Sequence, residues 1–173
     1  SLRIPKEDIL RYRKWSSQQN LTLFMTFLSA FELLLCKICQ KEELIIGIPA
    51  GGRTMPDIEE AIGDFSHFMP FLASHNSKDS LTEYLKDLKN RIYEAYEHQE
   101  YPYANFMELL QKETDISYDN WVNVIFNFDV SVSDTNMESV DLHVVHNKPV
   151  YSDFDLMFNA IQESGDLVLS LDY

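Results

Sequence analysis

The first half of the chain alternates between helix-like and strand-like patterns of apolar residues. Apolar side chains recur at three- and four-residue spacing over 21–40, which predicts a mostly buried amphipathic helix with Asn20 as its N-cap. The apolar run ELIIGIPA (43–50) predicts a buried strand. PDIEEAI (56–62) predicts a short helix, because Pro begins it and Gly follows it. FMPFLA (68–73) predicts a second strand, in which Pro70 indicates a sheet edge or a bulge.

Two more helices and four strand-like runs follow. Ser80 and Glu83 have the spacing of a capping box, which opens a helix to about Glu97. Pro102 then begins the helix PYANFMELLQK. After residue 120 come four strand-like runs: VNVIFNFDV, VDLHVVHN, FDLMFNAI and LVLSLDY. The order α-β-α-β-α-α-β-β-β-β, with a hairpin turn at 163–166, predicts a two-layer α/β sandwich with a mixed β-sheet.

Composition narrows the class of protein. A chain of 173 residues is long enough for one domain or lobe, and its formal charge of −14 argues against binding nucleic acid or anionic lipid. The longest apolar run has about 15 residues, short of the roughly 18–20 of a membrane span, and no signal-peptide pattern is present. With two cysteines and no disulfide framework, we expect a cytoplasmic protein. The missing initiator Met and the end at Tyr173, just after a strand pattern, suggest a piece of a larger protein.

Two motifs resemble metal or redox sites, but their positions favour a structural role. Cys36 and Cys39 form a CxxC near the end of the predicted helix, where the helix dipole disfavours a thiolate. We therefore interpret both as small buried hydrophobic residues. His143 and His146 fall in a predicted strand, where residues three apart face opposite sides and cannot easily share one metal. A zinc or thiol-redox protein remains a minor alternative.

Other candidate residues are isolated. The segment EHQE (97–100) contains a histidine that is either a general base or a helix-terminal cation. Gly51 and Gly52 lack the pattern of a phosphate loop and indicate close backbone approach, while Arg53 is expected to anchor a carboxylate or a helix end. His67, within the apolar run IGDFSHFMPF, is a catalytic base, a metal ligand, a pocket-lining residue or a core residue. The residues alone contain no complete catalytic constellation.

Five co-linear motifs together resemble the condensation domains of nonribosomal peptide synthetases, over about residues 18–173. LTLFMTFLSAFELLLCKICQKEELIIGIPAGGR resembles their helix and strand ending in iGxPxaGR. IGDFSHFMPF is similar to GxFVNTLPLR, and HQEYPYANFMELL to HQDxPFExLv. TDISYDNWVNVIFNF and FDLMFNAIQESGDLVLSLDY resemble the next strand and the closing hairpin.

The resemblance implies one of two chloramphenicol acetyltransferase-like lobes that enclose a tunnel, with residues 1–173 as the C-terminal lobe. The family joins two carrier-tethered aminoacyl thioesters through an amide bond, using an HHxxxDG motif of the N-terminal lobe. No His-His pair occurs in this sequence, so no catalytic residue is expected here, and the fragment alone should be inactive.

The resemblance also implies roles for individual residues. Those expected to line the substrate tunnel or contact pantetheine are Gly63, Phe65, Ser66 and His67. Those expected to have structural roles in the motifs are Gly47, Pro49, Arg53, His98, Gln99, Pro102 and Asp155. His67 occupies the position of a pocket-lining Asn in the family.

The implied partners are the N-terminal condensation lobe, donor and acceptor peptidyl-carrier domains and a neighbouring adenylation domain. Phosphopantetheine is expected on the carriers, with no cofactor or metal bound directly. The chain departs from the family pattern at Ser66 and His67, which replace Val and Asn, at Phe68, which replaces Thr, and at Leu72, where Arg is common. A non-condensing relative of the epimerization, heterocyclization or recruitment type is therefore the main alternative.

Overall fold

The computed structural model describes residues 1–53, 60–101, 103–113, 122–130, 136–137, 140–141 and 154–173. Its helices are α1 (Lys6–Gln18), α2 (Leu23–Cys39), α3 (Leu81–Glu97) and α4 (Tyr103–Glu113). Its strands are β1 (Leu2–Ile4), β2 (Glu43–Ala50), β3 (His67–Ser74), β4 (Val124–Val130), β5 (Asn136–Met137), β6 (Val140–Asp141), β7 (Leu156–Glu163) and β8 (Asp166–Asp172).

Six strands form one mixed sheet in the order β1-β8-β7-β4-β2-β3. The pairs β2–β4 and β4–β7 are parallel, and the other neighbours in this sheet are antiparallel. The short strands β5 and β6 pair separately. This sheet, with helices packed against it, confirms the predicted α/β class.

The main core lies between the sheet and helices α2 and α3. Leu28 of α2, Leu88 of α3, and Ile46 and Phe126 of the sheet are fully buried within one apolar cluster. Phe126 stacks on Phe158 of β7, with 5.3 Å between ring centroids. Complete burial of such a side chain contributes about 1.5–3 kcal/mol to folding, so this layer stabilises the sheet from one side.

The opposite face of β4, β7 and β8 carries polar residues. In β4, Phe126 and Phe128 pack in the core layer, so Asn127 points to the other face, because successive side chains of a strand alternate. The same alternation places Asn159 and Asp172 on that face.

Most predicted elements are confirmed, with small shifts of their ends. The capping box is present, since Ser80 Oγ accepts from Glu83 N and Ser80 N donates to the Glu83 carboxylate. The hairpin turn is formed by Ser164 and Gly165, both with positive φ. β3 is an edge strand, as Pro70 indicated, and its register with β2 is continuous, without a bulge. Most of the predicted helix 56–62, most of the strand VDLHVVHN and Pro102 lie outside the described residues.

The N-terminal elements were not predicted, and the assignment of Asn20 as a helix cap is wrong. Helix α1 precedes α2, and Asn20 has a φ of 57° in the short link between them. Thr22 is the N-cap of α2, where its side chain accepts from Met25 N at 3.1 Å. The left-handed backbone of Asn20 turns the chain between the two helices, and the extended backbone needed of an N-cap falls at Thr22.

A buried ion pair joins α2, α3 and β3. Glu32 Oε1 accepts from Arg91 Nη2 at 3.1 Å and from Ser74 N at 2.9 Å. Arg91 also donates to the carbonyls of Leu72 and Ser74 on β3. Since β3 is the edge of the sheet, Arg91 occupies carbonyls that would otherwise be open to another strand.

Among the described residues no single helix has the length and apolar composition of a membrane span, although α1 and α2, bent by 92° at their junction, pass that test as a pair.

Candidate functional site

A cavity of about 450 Å³ opens where the parallel strands β2 and β4 separate. The two strands pair only at Gly47 and Ile125, and the cavity lies beyond this pair toward their carboxyl ends. Its walls are residues 49–51 at the end of β2 and residues 127–129 of β4. Asp64 and Ser66 of the loop before β3, and His67 and Phe68 at its start, complete the lining. Gaps at the carboxyl ends of parallel strands are common binding sites in α/β proteins.

Arg53 holds the loop that precedes β3. Its guanidinium donates to the carbonyls of Ala61 at 2.8 Å and Gly63 at 3.0 Å, and it lies over the Phe65 ring, 4.6 Å from the centroid. Gly52 has a φ of +63°, and a Cβ at this position would collide with the Phe65 carbonyl. Close backbone approach is therefore confirmed for Gly52 and is wrong for Gly51, where an added Cβ would meet nothing within 4 Å. Arg53 serves as an anchor for the carbonyls of this loop.

Asp64 and Ser66 form a local turn at the cavity wall. Asp64 Oδ1 accepts from Ser66 N at 3.0 Å and from Ser66 Oγ at 2.6 Å. These hydrogen bonds lower the pKa of Asp64 below its usual value. Ser66 therefore presents a hydroxyl whose proton is engaged by a carboxylate that holds the turn.

His67 connects two of the motifs. The ring is half-buried, and its Nε2 lies 3.1 Å from the Gln99 carbonyl, while Nδ1 lies 3.4 Å from the Phe65 carbonyl. A carbonyl only accepts, so we assign the ring proton to Nε2, the nitrogen with the shorter contact, which then donates to the Gln99 carbonyl. The motif containing His67 and the segment beginning at His98 are thus joined directly at the cavity, although they lie 32 positions apart in the chain.

The end of α3 extends this network to β2. Gln99 Nε2 donates to the Tyr96 carbonyl at 2.9 Å, and the Tyr96 hydroxyl donates to the Pro49 carbonyl at 2.9 Å. Burial raises the pKa of Tyr96, which keeps this hydroxyl protonated as a donor. His67, Gln99, Tyr96 and Pro49 therefore form a chain of hydrogen bonds along the wall of the cavity.

The remaining predicted residues occupy different positions. Gly47 lies beneath β4, where a Cβ would collide with Ile125 and Val122. Gly63 and Phe65 do not line the cavity and take part in the contacts of Arg53. His98 is exposed at the C-cap of α3. Asp155 is exposed directly before β7, where the described residues offer it no hydrogen bond.

Sequence reasoning missed a row of polar residues that begins at the cavity. Asn127 Nδ2 donates to Asn159 Oδ1 at 3.2 Å, and Asn159 Nδ2 donates to Asp172 Oδ2 at 3.0 Å. The available signal was an Asn in the middle of each of two strand-like runs, at positions that alternate with apolar residues. Their common location becomes apparent only once β4, β7 and β8 are placed side by side.

The two cysteines of the CxxC motif differ in burial. Cys36 is buried, and burial raises the pKa of its thiol, with a further contribution from Glu32. Cys39 is exposed, so the prediction that both cysteines are buried is correct only for Cys36. Position 39 ends α2 and faces solvent. Within the described ranges no group of three or more His, Cys, Asp or Glu residues could hold a metal ion. His143 and His146 lie outside them.

A family model described as "Condensation domain" matches residues 1–173. Among curated proteins, the chain is 29% identical to Tyrocidine synthase 3 of Brevibacillus parabrevis over 173 residues, which are 97% of this chain and 3% of that protein. It is 29% identical to Bacitracin synthase 2 of Bacillus licheniformis over 177 residues, or 98% of this chain and 7% of that protein. The chain therefore spans only a small part of each relative.

Solved structures share the fold at low sequence identity. The condensation domain of the monacolin K polyketide synthase MokA aligns with a TM-score of 0.79 and 19% identity, over 98% of this chain and 40% of that one. A holo four-domain nonribosomal peptide synthetase bound to AMP and glycine aligns with a TM-score of 0.83 and 17% identity, over 99% of this chain and 14% of that one.

Proposed function

This chain belongs to the condensation-domain family, and we propose that residues 1–173 form the C-terminal lobe of a condensation domain that makes amide bonds in nonribosomal peptide synthesis. One observation carries the proposal. The loop containing Ser66 and His67, the end of the β2 motif and the Gln99 segment are separate in sequence but meet around one cavity.

The reaction proposed is attack by the amine of an acceptor aminoacyl thioester on the carbonyl carbon of a donor acyl thioester. A C–N bond forms, the C–S bond breaks, the donor thiol is released, and the amine loses a proton. Holding both thioesters in one tunnel makes the step effectively unimolecular, which is the largest contribution that a positioning lobe can make. Any proton transfer is assigned to the HHxxxDG motif of the N-terminal lobe, which is not part of this sequence.

The roles proposed for this lobe follow from its contacts. Arg53 and Gly52 fix the loop, His67 fixes that loop to the end of α3, and Ser66 and His67 line the space in which a tethered substrate would lie. Because both ring nitrogens of His67 lie against backbone carbonyls, Nε2 against Gln99 and Nδ1 against Phe65, we assign His67 to shaping the wall and not to proton transfer.

The partners proposed are those of a lobe within a larger synthetase: the N-terminal lobe, donor and acceptor carrier domains and an adjacent adenylation domain. The phosphopantetheine arms of the carriers would deliver both thioesters. The cavity is lined by polar side chains, among them Ser66, His67 and Asn127, together with apolar ones, and we propose that it holds a narrow, amide-containing arm.

The test joins this chain to its native upstream segment and supplies two loaded carriers. We expect the two-lobe protein to form the dipeptidyl product on the acceptor carrier, as measured by mass spectrometry of the released pantetheine arm. Substitution of the histidines of the upstream HHxxxDG motif provides the matched control and should abolish transfer. A folded two-lobe protein that binds both carriers but forms no product would contradict the proposal and favour a non-condensing relative.

A further inference from the structure

The hydrogen-bonded row formed by Asn127, Asn159 and Asp172 crosses three neighbouring strands on the sheet face opposite the main core. All three side chains are half-buried, and one end of the row lies at the cavity, because Asn127 is one of its lining residues. The other end is a carboxylate on β8. A row of this kind has a direction, since each amide has one side that donates and one that accepts.

The carboxylate determines the orientation of both amides. Asp172 can only accept, so Asn159 must present its NH₂ group to Asp172 and its oxygen to Asn127. Asn127 must then present its NH₂ group to Asn159. Rotation of either amide by 180° would place oxygen against oxygen or NH₂ against NH₂, so the row stabilises one arrangement.

This arrangement leaves Asn127 Oδ1 available at the cavity. The oxygen has no hydrogen-bond partner among the described residues, and Asn127 is accessible enough for a ligand to reach it. An accepting oxygen whose orientation is set in advance suits an N–H donor. The Asn127 side chain then loses little conformational entropy when a ligand binds. It does not suit a carbonyl or a carboxylate, because these groups have no hydrogen to donate.

The neighbouring charges distinguish two kinds of N–H donor. Asp64 and Asp129 also line the cavity, and an ammonium group would be attracted to their carboxylates. A neutral amide N–H is the better match for the neutral oxygen of Asn127. We propose that Asn127 is a ligand-positioning residue that accepts a hydrogen bond from a secondary amide N–H of a pantetheine arm, in an orientation set by Asn159 and Asp172. This inference rests on the proposed function.

The test uses the two-lobe protein formed by this chain and its native upstream segment. The probes are S-acetyl-pantetheine, the same compound methylated at its amide nitrogens, and aminoacyl-pantetheine as acceptor substrate. Asn127→Leu keeps the approximate shape and removes the acceptor, while Asp172→Asn keeps the row but removes the group that sets its direction. Ser170→Ala is the matched control, because Ser170 lies on the same face of β8 beside Asn159 but outside the row.

We expect Asn127→Leu to weaken binding of S-acetyl-pantetheine about tenfold by calorimetry, and to raise KM for aminoacyl-pantetheine similarly with little change in kcat. Asp172→Asn should weaken binding about threefold, and adding it to Asn127→Leu should have no further effect. Methylation of the amides should weaken binding to the unaltered protein but not to Asn127→Leu. Ser170→Ala should behave as the unaltered protein, and thermal denaturation identifies any variant that fails to fold.

Each outcome has a distinct meaning. If the unaltered protein binds pantetheine and transfers, but Asn127→Leu binds equally well, the inference is wrong and the proposed function stands. A loss restricted to aminoacyl-pantetheine would identify the amine as the donor and overturn the assignment to the arm. If the unaltered protein neither binds nor transfers, the proposed function itself fails. Should Asn127→Leu not fold, unchanged binding by Asp172→Asn would contradict the inference.

Discussion

At the residue scale, His67 illustrates how the ring nitrogens of a histidine at a cavity wall can be occupied by backbone carbonyls. Its Nε2 donates to the Gln99 carbonyl at 3.1 Å, so the nitrogen that faces α3 is not free to accept a proton. In the family pattern that this motif resembles, the position is an Asn, whose NH₂ group has a shorter reach. Both side chains carry an N–H donor.

We therefore expect His67→Asn in the two-lobe protein to retain transfer, with kcat reduced less than tenfold and a changed preference among acceptor amino acids. Loss of a general base typically reduces the rate by about 10²–10⁴, so the two roles are separable by steady-state kinetics with a panel of loaded carriers. His75→Asn, which alters the histidine just beyond the other end of β3, provides the control and should leave preference unchanged. A rate reduced into the range of a lost base, in a folded variant, would assign proton transfer to His67.

At the element scale, Arg91 attaches α3 to the exposed edge of the sheet. It donates to two carbonyls of β3, to Asp87 on its own helix and to the buried Glu32 of α2. The side chain of Glu32 is completely inaccessible to solvent. Removing one member of a buried ion pair leaves the other charge without compensation, which is more costly than losing an exposed pair.

Arg91→Met should accordingly reduce the free energy of unfolding at pH 8 by about 3–5 kcal/mol, measured by urea denaturation of the two-lobe protein. Adding Glu32→Gln should restore part of this loss, because a neutral amide still accepts from Ser74 N but carries no charge. Arg11→Met removes the exposed pair with Asp8 and should cost less than about 1 kcal/mol. Equal effects of Arg91→Met and Arg11→Met would show that the buried pair does not stabilise this junction.

At the scale of the whole molecule, local patterns predicted the α/β order, and the motifs singled out Ser66 and His67, which lie at the cavity wall. The helix near 21–40, the capping box at Ser80 and the closing hairpin follow from spacings within one element, so the sequence indicates them directly. Helix α1 was missed because it buries only Ile9 and Ser16 and has no continuous apolar stripe. Ser66 and His67 were identified by their motif, but the contact with the Gln99 carbonyl depends on where α3 ends relative to β3.

The row from Asn127 to Asp172 could not be predicted as a whole, for a topological reason. Asn127 and Asn159 become neighbours because β4 and β7 pair in parallel, and Asn159 approaches Asp172 because β7 and β8 form a hairpin. The hairpin turn indicates that β7 and β8 are adjacent, but nothing in the two Asn-containing runs specifies that β4 and β7 will pair. Polar residues on a sheet face are thus visible in a sequence, whereas the direction of hydrogen bonding that they establish depends on strand order.

The stability of the whole molecule should also depend on pH through Glu32. Burial raises the pKa of Glu32 to about 7, despite the opposing effects of Arg91 and of the hydrogen bond from Ser74 N. The buried Tyr84 also lies close to this carboxyl. In the unfolded chain the carboxyl has its ordinary pKa of 4.5, so the folded state binds its proton more tightly.

The sign follows from this difference. The contribution of Glu32 to stability is complete below pH 4.5 and is lost as the pH rises through about 7, since only the unfolded state then gains by releasing the proton. Each pH unit between the two pKa values corresponds to about 1.4 kcal/mol, so the total is a few kcal/mol.

Glu32→Gln has no proton to lose. We expect the unfolding free energy of the unaltered two-lobe protein to fall relative to that of Glu32→Gln between pH 5 and pH 7.5, as measured by urea denaturation at half-unit intervals. Comparison of the two proteins cancels the titrations that they share, and a difference that stays constant or rises with pH would mean that Glu32 is ionised in the fold throughout this range.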